Sequence, residues 1–398
     1  MRLVYLSLNV PYPADNGHKI RTWGVLRALK AEGHEVTLLC LAPDGLADVD
    51  SAALKEGCDA FELIPHAAPA ASASPDYSGR LRALLSPAPY SAGRFASPAL
   101  RARLADLRAA GPVDAVVCDT IFMTVNVPRG FAPIIVNSPD VEHVVLARFL
   151  AHEHDLARRA YAGIELAKTR RWERAVCRRA AVVLVCSDTD RDVIERLCPR
   201  ARVAVVPNVI DVEQYAAAPD GDPSIVLYSG GMDWYPNQDA VAFFADRILP
   251  ELRRRYPILR FVVAGRTPPA AFHARYRGRP GVEFTGRVPD MRTEIARAGL
   301  CVVPIRIGSG TRLKILEAAA MAKAVVSTRV GAEGLGFRDG SEIVLADEPP
   351  AFIDAVTALL GDHARRRALG QAARRRVETA FGPAALRRSL HAALRAWP

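Results

Sequence analysis

Between Pro304 and Ala318 the chain reads Pro-Ile-Arg-Ile-Gly-Ser-Gly-Thr-Arg-Leu-Lys-Ile-Leu-Glu-Ala. An apolar strand ends at Pro304, a glycine-rich turn follows, and a helical pattern starts near Thr311. A turn of this kind aims backbone N–H groups at the positive end of a helix dipole, an arrangement suited to a diphosphate. Gly308 and Gly310 permit unusual dihedrals and close approach, Ser309 and Thr311 lie in the same turn, and Arg312 and Lys314 add positive charge. Glu317 follows within the helix, where its carboxylate can accept two hydrogen bonds from a ribose diol, each worth roughly 1.5–3 kcal/mol. The same spacing also fits a plain glycine-rich helix cap with Glu317 on the surface.

A second candidate is Asp140-Val141-Glu142-His143, just after the apolar run Ile134–Asn137. In open α/β sheets, ligands bind beyond the carboxyl ends of the strands. That placement makes His143, with Asp140 or Glu142, a candidate contact for an acceptor or a transferred group. A structural or surface histidine is the competing reading.

Elements able to hold these groups are legible along the chain. Arg2–Leu8, Glu35–Leu41, Ala115–Cys118, Ile134–Asn137 and Val182–Ser187 read as short buried strands, with His18–Ala31 a helix between the first two. After the Pro/Asp/Gly-rich stretch Ala216–Pro223 the pattern restarts. Ser224–Ser229, Arg260–Ala264, Val282–Thr285, Leu300–Pro304, Ala324–Thr328 and Glu342–Leu345 read as strands, with helices over Asp239–Tyr256 and Thr311–Ala322. Two successive βα runs imply two doubly wound α/β domains, 1–206 and 224–383, joined by a linker over 207–223. A last helix over Ala384–Trp397 is placed to pack back on the first domain. Ala67–Pro98, rich in Ala, Ser and Pro, reads as a long loop with short helical pieces.

The chain has 398 residues of ordinary globular composition, enough for a core in each half. Its net charge of +10 favours anionic partners without choosing among nucleotides, nucleic acid and acidic lipid headgroups. No recognised nucleic-acid motif is present, so nucleic acid is not expected. The seven cysteines are scattered and never form Cys-x-x-Cys, which reads as reduced thiols of a cytoplasmic protein and neither a disulfide framework nor a metal site. The short apolar N-terminus is broken by Asn9, Pro11 and Pro13 and reads as a strand, not a signal peptide. No run reaches the ~20 apolar residues of a membrane helix, so any membrane contact is expected to be peripheral. Arg158–Arg179 is strongly basic and, with Tyr161, Ile164, Leu166, Trp172 and Val176, reads as an amphipathic helix. Its basic face is either simply solvated or a platform for acidic lipid headgroups on the inner face of the plasma membrane.

Gly308–Glu317, continuing through Thr328 and then Gly331–Leu335, resembles the donor-binding signature of glycosyltransferase family 4. Pro11–Arg21, Gly33–Val36, Cys186–Asp188, Val206–Asp211 and Gly286–Val288 resemble further family segments in the same order, so the resemblance covers nearly the whole chain. Gly230–Asn237 also resembles a subgroup of bacterial transferases linked to exopolysaccharide clusters.

The resemblance implies a GT-B fold, two Rossmann-like domains facing a central cleft. It also implies a nucleotide-diphosphate sugar as co-substrate, no cofactor or metal, and retaining transfer to a glycan or lipid-linked acceptor. The implied donor contacts include Asn16 and Gly17 in the first domain, and Gly231, Arg287 and Val288 in the second, the last two in the base-binding loop. A cleft-facing histidine near His143 is common among such proteins.

One departure is that the family commonly has two glutamates eight positions apart. Glu317 matches the second, and Ser309 occupies the first. Met232 and Asn237 also stand near places where an Arg and a Lys are common. Arg312, Lys314 and Arg266 are therefore expected to neutralise the leaving diphosphate. These departures motivate one alternative, a catalytically silent GT-B protein that binds a nucleotide sugar or acts as a scaffold. A nucleotide-sugar epimerase of similar fold is another.

Overall fold

A computed structural model describes residues 1–43, 46, 49–66 and 76–395. Residues 67–75 of the Ala/Ser/Pro-rich stretch and residues 396–397 of the last expected helix lie outside the described residues. The chain divides into two compact units, Met1–Asn208 with Ala384–Pro398, and Val209–Pro383.

The first unit opens with β1 (Arg2–Ser7), α1 (Gly17–Ala31), β2 (Glu35–Ala42), α2 (Ser51–Gly57) and β3 (Ala60–Pro65). It continues with α3 (Tyr77–Leu84), α4 (Tyr90–Arg94), α5 (Pro98–Ala109), β4 (Ala115–Asp119) and β5 (Ile134–Asn137). Then come α6 (Glu142–His152), α7 (Leu156–Arg179), β6 (Val182–Val185), α8 (Asp188–Leu197) and β7 (Val203–Val205). The seven strands form one parallel sheet in the order β3-β2-β1-β4-β5-β6-β7. Val4, Leu6, Leu39, Val116, Cys118, Val136 and Val183 form the buried core of this sheet. The order reverses between β1 and β4, the place where such sheets bind ligands. Register pairs Leu6 with Cys118 and Asp119 with Asn137, so Ser7, Asp119 and Asn137 end their strands on one rim.

The second unit runs β8 (Asp222–Ser229), α9 (Tyr235–Phe243), α10 (Leu249–Arg255), β9 (Arg260–Ala264), α11 (Ala270–Tyr276), β10 (Val282–Gly286) and α12 (Met291–Arg297). It continues with β11 (Ala298–Val303), α13 (Leu313–Ala320), β12 (Val325–Ser327), β13 (Val344–Leu345), α14 (Pro349–Gly361) and α15 (His363–Ala380). Its six strands are also parallel, in the order β10-β9-β8-β11-β12-β13, and reverse between β8 and β11. The last helix, α16 (Pro383–Arg395), belongs from Ala384 onward to the first unit, where His391 Nδ1 pairs with Glu32.

Several elements differ from expectation for local reasons. The single helix over Asp239–Tyr256 is interrupted by a π turn at Phe244–Ile248, just before Pro250, which lacks an N–H to continue the ladder. The strand expected over Glu342–Leu345 is only Val344–Leu345, because Glu342 is used by Arg338 in a tight turn. β3 is broken by Glu62 and β7 is only three residues long, and neither is among the expected strands.

The buried side of α7 is not purely apolar. Glu165, Thr169 and Glu173 are buried together with Val176 and Cys177, while Ile164 is exposed. The two glutamates are accommodated by backbone N–H groups, Tyr90 N donating to Glu165 at 2.7 Å and Glu142 N donating to Glu173 at 3.1 Å.

The segment between the sheets is tied to the second unit. The amine of Lys323, 2% exposed, donates to the carbonyls of Pro219, Ala296 and Ala298, and Arg366 pairs with Asp220. All seven cysteines are buried and free. No described helix is long and apolar enough to cross a membrane.

Candidate functional site

The second unit gathers the turn residues at the carboxyl end of β11. Gly308, Ser309, Gly310, Thr311 and Arg312 are all buried. Arg312 stands at the N-cap of α13 in an extended conformation, so the helix begins at Leu313, two residues later than expected. Arg312 does not project as a free charge. Its guanidinium folds back, donating to the carbonyls of Ser309 and Gly310, and so organises the turn from inside. A Cβ on Gly308, where φ is +142°, would stand 2.5 Å from Arg312 Nη2, so another residue there would be strained and would push this guanidinium aside.

Lys314 reaches from α13 to the end of β8. Its Nζ donates to Tyr228 Oη at 2.8 Å and Asn237 Oδ1 at 3.0 Å, and lies 3.9 Å from the Tyr228 ring centroid. A Cβ on Gly230 would come 2.7 Å from that amine. The Lys314 amine from α13 thus meets Asn237 in the first turn of α9, beyond β8. Burial, reinforced by the charge of Arg312, holds the Lys314 amine well below the ordinary lysine range.

Glu317 lies one turn further along α13 and accepts from the Tyr215 hydroxyl at 3.1 Å. Burial raises its carboxyl above the usual range, opposed by the Tyr215 bond and by Lys314. Arg266 is exposed and paired with Asp233 at 3.0 Å, beside Gly231, where a Cβ would meet both side chains. Arg287 is exposed and Val288 half-buried, just beyond β10.

In the first unit the rim of β1, β4 and β5 carries a buried polar network centred on Asp119, which is fully buried. Its carboxylate accepts from Thr22 Oγ1 at 2.8 Å and Asn137 Nδ2 at 3.0 Å, and pairs with His18 Nε2 at 2.8 Å. Arg21, 1% exposed, donates to Asn137, Val206 and Asn208. Burial alone would raise the Asp119 carboxyl, but His18 and the hydrogen bonds outweigh it and hold it below the usual carboxylate range. Burial likewise would lower His18, and Asp119 reverses that, raising its pKa.

Asn16 Oδ1 accepts from Lys19 N at 3.1 Å, so this side chain caps α1, and Gly17 opens the helix at an exposed position. Capping and ligand contact are compatible, because the cap leaves the exposed Gly17 backbone outside.

His143 lies in the first turn of α6, next to Glu142. Its Nδ1 pairs with the buried Glu173 of α7, whose other oxygen accepts the Glu142 backbone N–H. Burial, then the charges of Asp140 and Glu173, push the Glu142 carboxyl well above the ordinary range. Asp140 also acts electrostatically on His18, so His18 and the 140–143 segment share one rim.

Sequence reasoning missed Asp119, Glu173, Tyr215 and Tyr228. Asp119 and Tyr228 were findable from their places at the ends of apolar strands. Glu173, in a basic helix, and Tyr215, in a turn-rich linker, gave no local signal. Among the described residues, no group of three His, Cys, Asp or Glu is placed to hold a metal ion.

Comparison with known proteins finds matches in both units. Residues 16–209 match the model of the glycosyl transferase 4-like domain, and residues 223–362 that of glycosyl transferases group 1. A 164-residue stretch is 25% identical to the phosphatidylinositol N-acetylglucosaminyltransferase chain of Arabidopsis thaliana, covering 39% of this chain and 36% of that relative. The chain therefore matches only about a third of the curated relative's length.

The fold is similar to that of sucrose-phosphate synthase from Thermosynechococcus elongatus (TM-score 0.74, 17% identity, 100% and 99% of the two chains covered). It is also similar to TarM (TM-score 0.70, 10% identity, 99% and 98% covered). A third similar structure is Anabaena HepE in complex with UDP and glucose (TM-score 0.64, 14% identity, both chains covered in full).

Proposed function

Because the chain belongs to the 4-like, group 1 glycosyltransferases of GT-B fold, we propose that it moves a sugar from a nucleotide-diphosphate sugar to a glycan or lipid-linked acceptor. The observation that carries this reading is the convergence of the Gly308–Gly310 turn, Lys314 and Glu317 at one end of the second sheet. Lys314 faces the diphosphate in this reading, Arg312 holds the turn that presents backbone N–H groups to it, and Glu317 takes the ribose diol. The base lies against Arg287 and Val288, and Gly231 and Arg266 complete the phosphate end. HepE, a protein of similar fold, is described with UDP and glucose bound, which supports a nucleotide-sugar donor.

Transfer is retaining and needs no metal ion in this proposal. The acceptor oxygen bonds to the anomeric carbon on the face that the phosphate leaves, and the carbon–phosphate oxygen bond breaks. A leaving-phosphate oxygen takes the acceptor proton. The protein's part is orientation and neutralisation of the charge that develops on the diphosphate. Asn16 and Gly17 are assigned to the donor, and Asp140, Glu142 and His143 to the acceptor and the transferred sugar. Assembly of a bacterial exopolysaccharide is the setting we propose.

A thermal-shift series with nucleotide sugars, run on wild type and Glu317→Ala, tests the donor site. At least one donor should stabilise wild type and lose most of that effect in the variant. Turnover with the stabilising donor, followed by the anomeric configuration of the product with and without a chelator, tests transfer. Donor binding without transfer or hydrolysis would favour the silent binder suggested by Ser309. Conversion of the donor without an acceptor would favour an epimerase.

A further inference from the structure

Helix α3 turns its leucines outward. Leu81 and Leu84 are 66% and 38% exposed, and Leu85, just past the helix, is 91% exposed. Spaced i, i+3, i+4, they form one apolar stripe facing water, the reverse of what a core-packed helix does. The direction of this stripe is set by the contacts that fix α3 to α7. The Arg80 guanidinium lies over the Tyr161 ring at 5.9 Å, and Lys168 Nζ donates to the Ala83 carbonyl.

Ile164, 46% exposed, sits between Tyr161 and Lys168 on α7 and extends the apolar surface beside α3. At ~100° per residue, Arg171, Arg174 and Arg178 share the stripe next to Ile164. The two carboxylates of α7, Glu165 and Glu173, are 6% and 0% exposed, and α3 contains no acidic residue. Every charge these two helices show to solvent is therefore positive.

We propose that the α3–α7 face docks on an anionic membrane surface, with Leu81, Leu84 and Leu85 entering the interfacial layer and the arginines of α7 meeting lipid phosphates. Charge complementarity selects this occupant: a helix ~36 Å long that is cationic over its exposed length matches a continuous anionic plane, and the adjoining leucines match its apolar boundary. The second sheet and the donor site take no part, so the inference stands or falls separately from the transfer reading.

The test is co-sedimentation of the full chain, without donor, with phosphatidylcholine vesicles and with phosphatidylcholine/phosphatidylglycerol vesicles over a range of salt. The wild type should bind the anionic vesicles, leave the neutral ones, and release as salt rises. The variants Leu81→Asn/Leu84→Asn/Leu85→Asn and Arg171→Glu/Arg174→Glu/Arg178→Glu should each lose about tenfold or more in partitioning, with unchanged unfolding midpoints. Absence of wild-type binding at low salt overturns the proposal, as does equal binding by the variants. So does a wild-type dimer that the leucine variant dissolves, which would make a second copy the occupant of this face.

Discussion

The Tyr215 hydroxyl donates to Oε1 of Glu317 at 3.1 Å, so the carboxylate assigned to the ribose is already held in place in the free protein. This contact joins a residue of the inter-sheet segment to helix α13. Removing it with Tyr215→Phe should cost roughly 0.5–1.5 kcal/mol of stability. The Glu317 carboxyl, raised by burial, would rise further without this bond. A carboxyl raised on folding gives stability that is present below about pH 4.3 and is lost as pH climbs through its folded pKa. Tyr215→Phe should therefore lose more of its unfolding midpoint than wild type on going from acid to neutral pH. The KM for donor should rise while kcat changes less.

His18 and Asp119 give a different pH signature. The Asp119 carboxyl is held low, so its contribution is present above about pH 3.9 and lost as pH falls through the folded pKa. His18 is raised, so its contribution is present below about pH 6.5 and lost as pH climbs through its folded pKa. Both act together between about pH 4 and 6.5. His18→Asn should flatten the thermal-stability profile across that window, and Asp119→Ala should cost about 3–5 kcal/mol by stranding buried donors. A profile identical to wild type for His18→Asn would show that the pair is not charged in the fold.

Gly308 and Arg312 are coupled by space. A Cβ at Gly308 would meet the Arg312 guanidinium at 2.5 Å, and the residue's φ of +142° is strained for any other side chain. Gly308→Ala should push Arg312 off the Ser309 and Gly310 carbonyls and loosen the turn. Calorimetric titration with the donor nucleotide should show affinity weakened by about tenfold or more, since one charge-assisted hydrogen bond is worth about 1.5–3 kcal/mol. Gly310→Ala, at φ +70°, should be strained by its backbone conformation.

Most strands were legible, because a strand buried on both faces must be a short unbroken apolar run, as in Ala115–Cys118 and Val182–Val185. The glycine-rich turn was legible for a similar reason, since Gly308 and Gly310 lie between a strand end and a helix start. What the residues do to one another there was not. Arg312 and Lys314 are two positions apart in sequence, yet one folds back onto its own turn and the other crosses to β8. Glu173 went unseen beside His143 for the same reason: it is distant in sequence and surrounded by arginines, so nothing local marks it as buried. Long-range pairing of polar groups is decided by packing, which leaves no periodic trace.

Lys314 allows binding, stability and titration to be separated at one residue. Its amine is held well below the ordinary lysine range by burial and by Arg312. Tyr228, Asn237 and Glu317 are the other groups facing it, and only Glu317 opposes the shift with charge. Between the folded pKa and about 10.4 the unfolded chain binds the extra proton, so stability should rise with pH across that interval. Lys314→Met should remove this slope and hold or raise the unfolding midpoint at neutral pH, while lowering kcat by about 10²–10³-fold if the amine neutralises the leaving diphosphate. A bound diphosphate brings negative charge to the amine and favours its protonated form. Donor binding at mildly alkaline pH should therefore take up a proton. Its measured enthalpy should differ between Tris and HEPES in proportion to their ionisation enthalpies, and that difference should vanish in Lys314→Met. Equal wild-type enthalpies in the two buffers would mean that the amine keeps its protonation state, and that the diphosphate lies elsewhere.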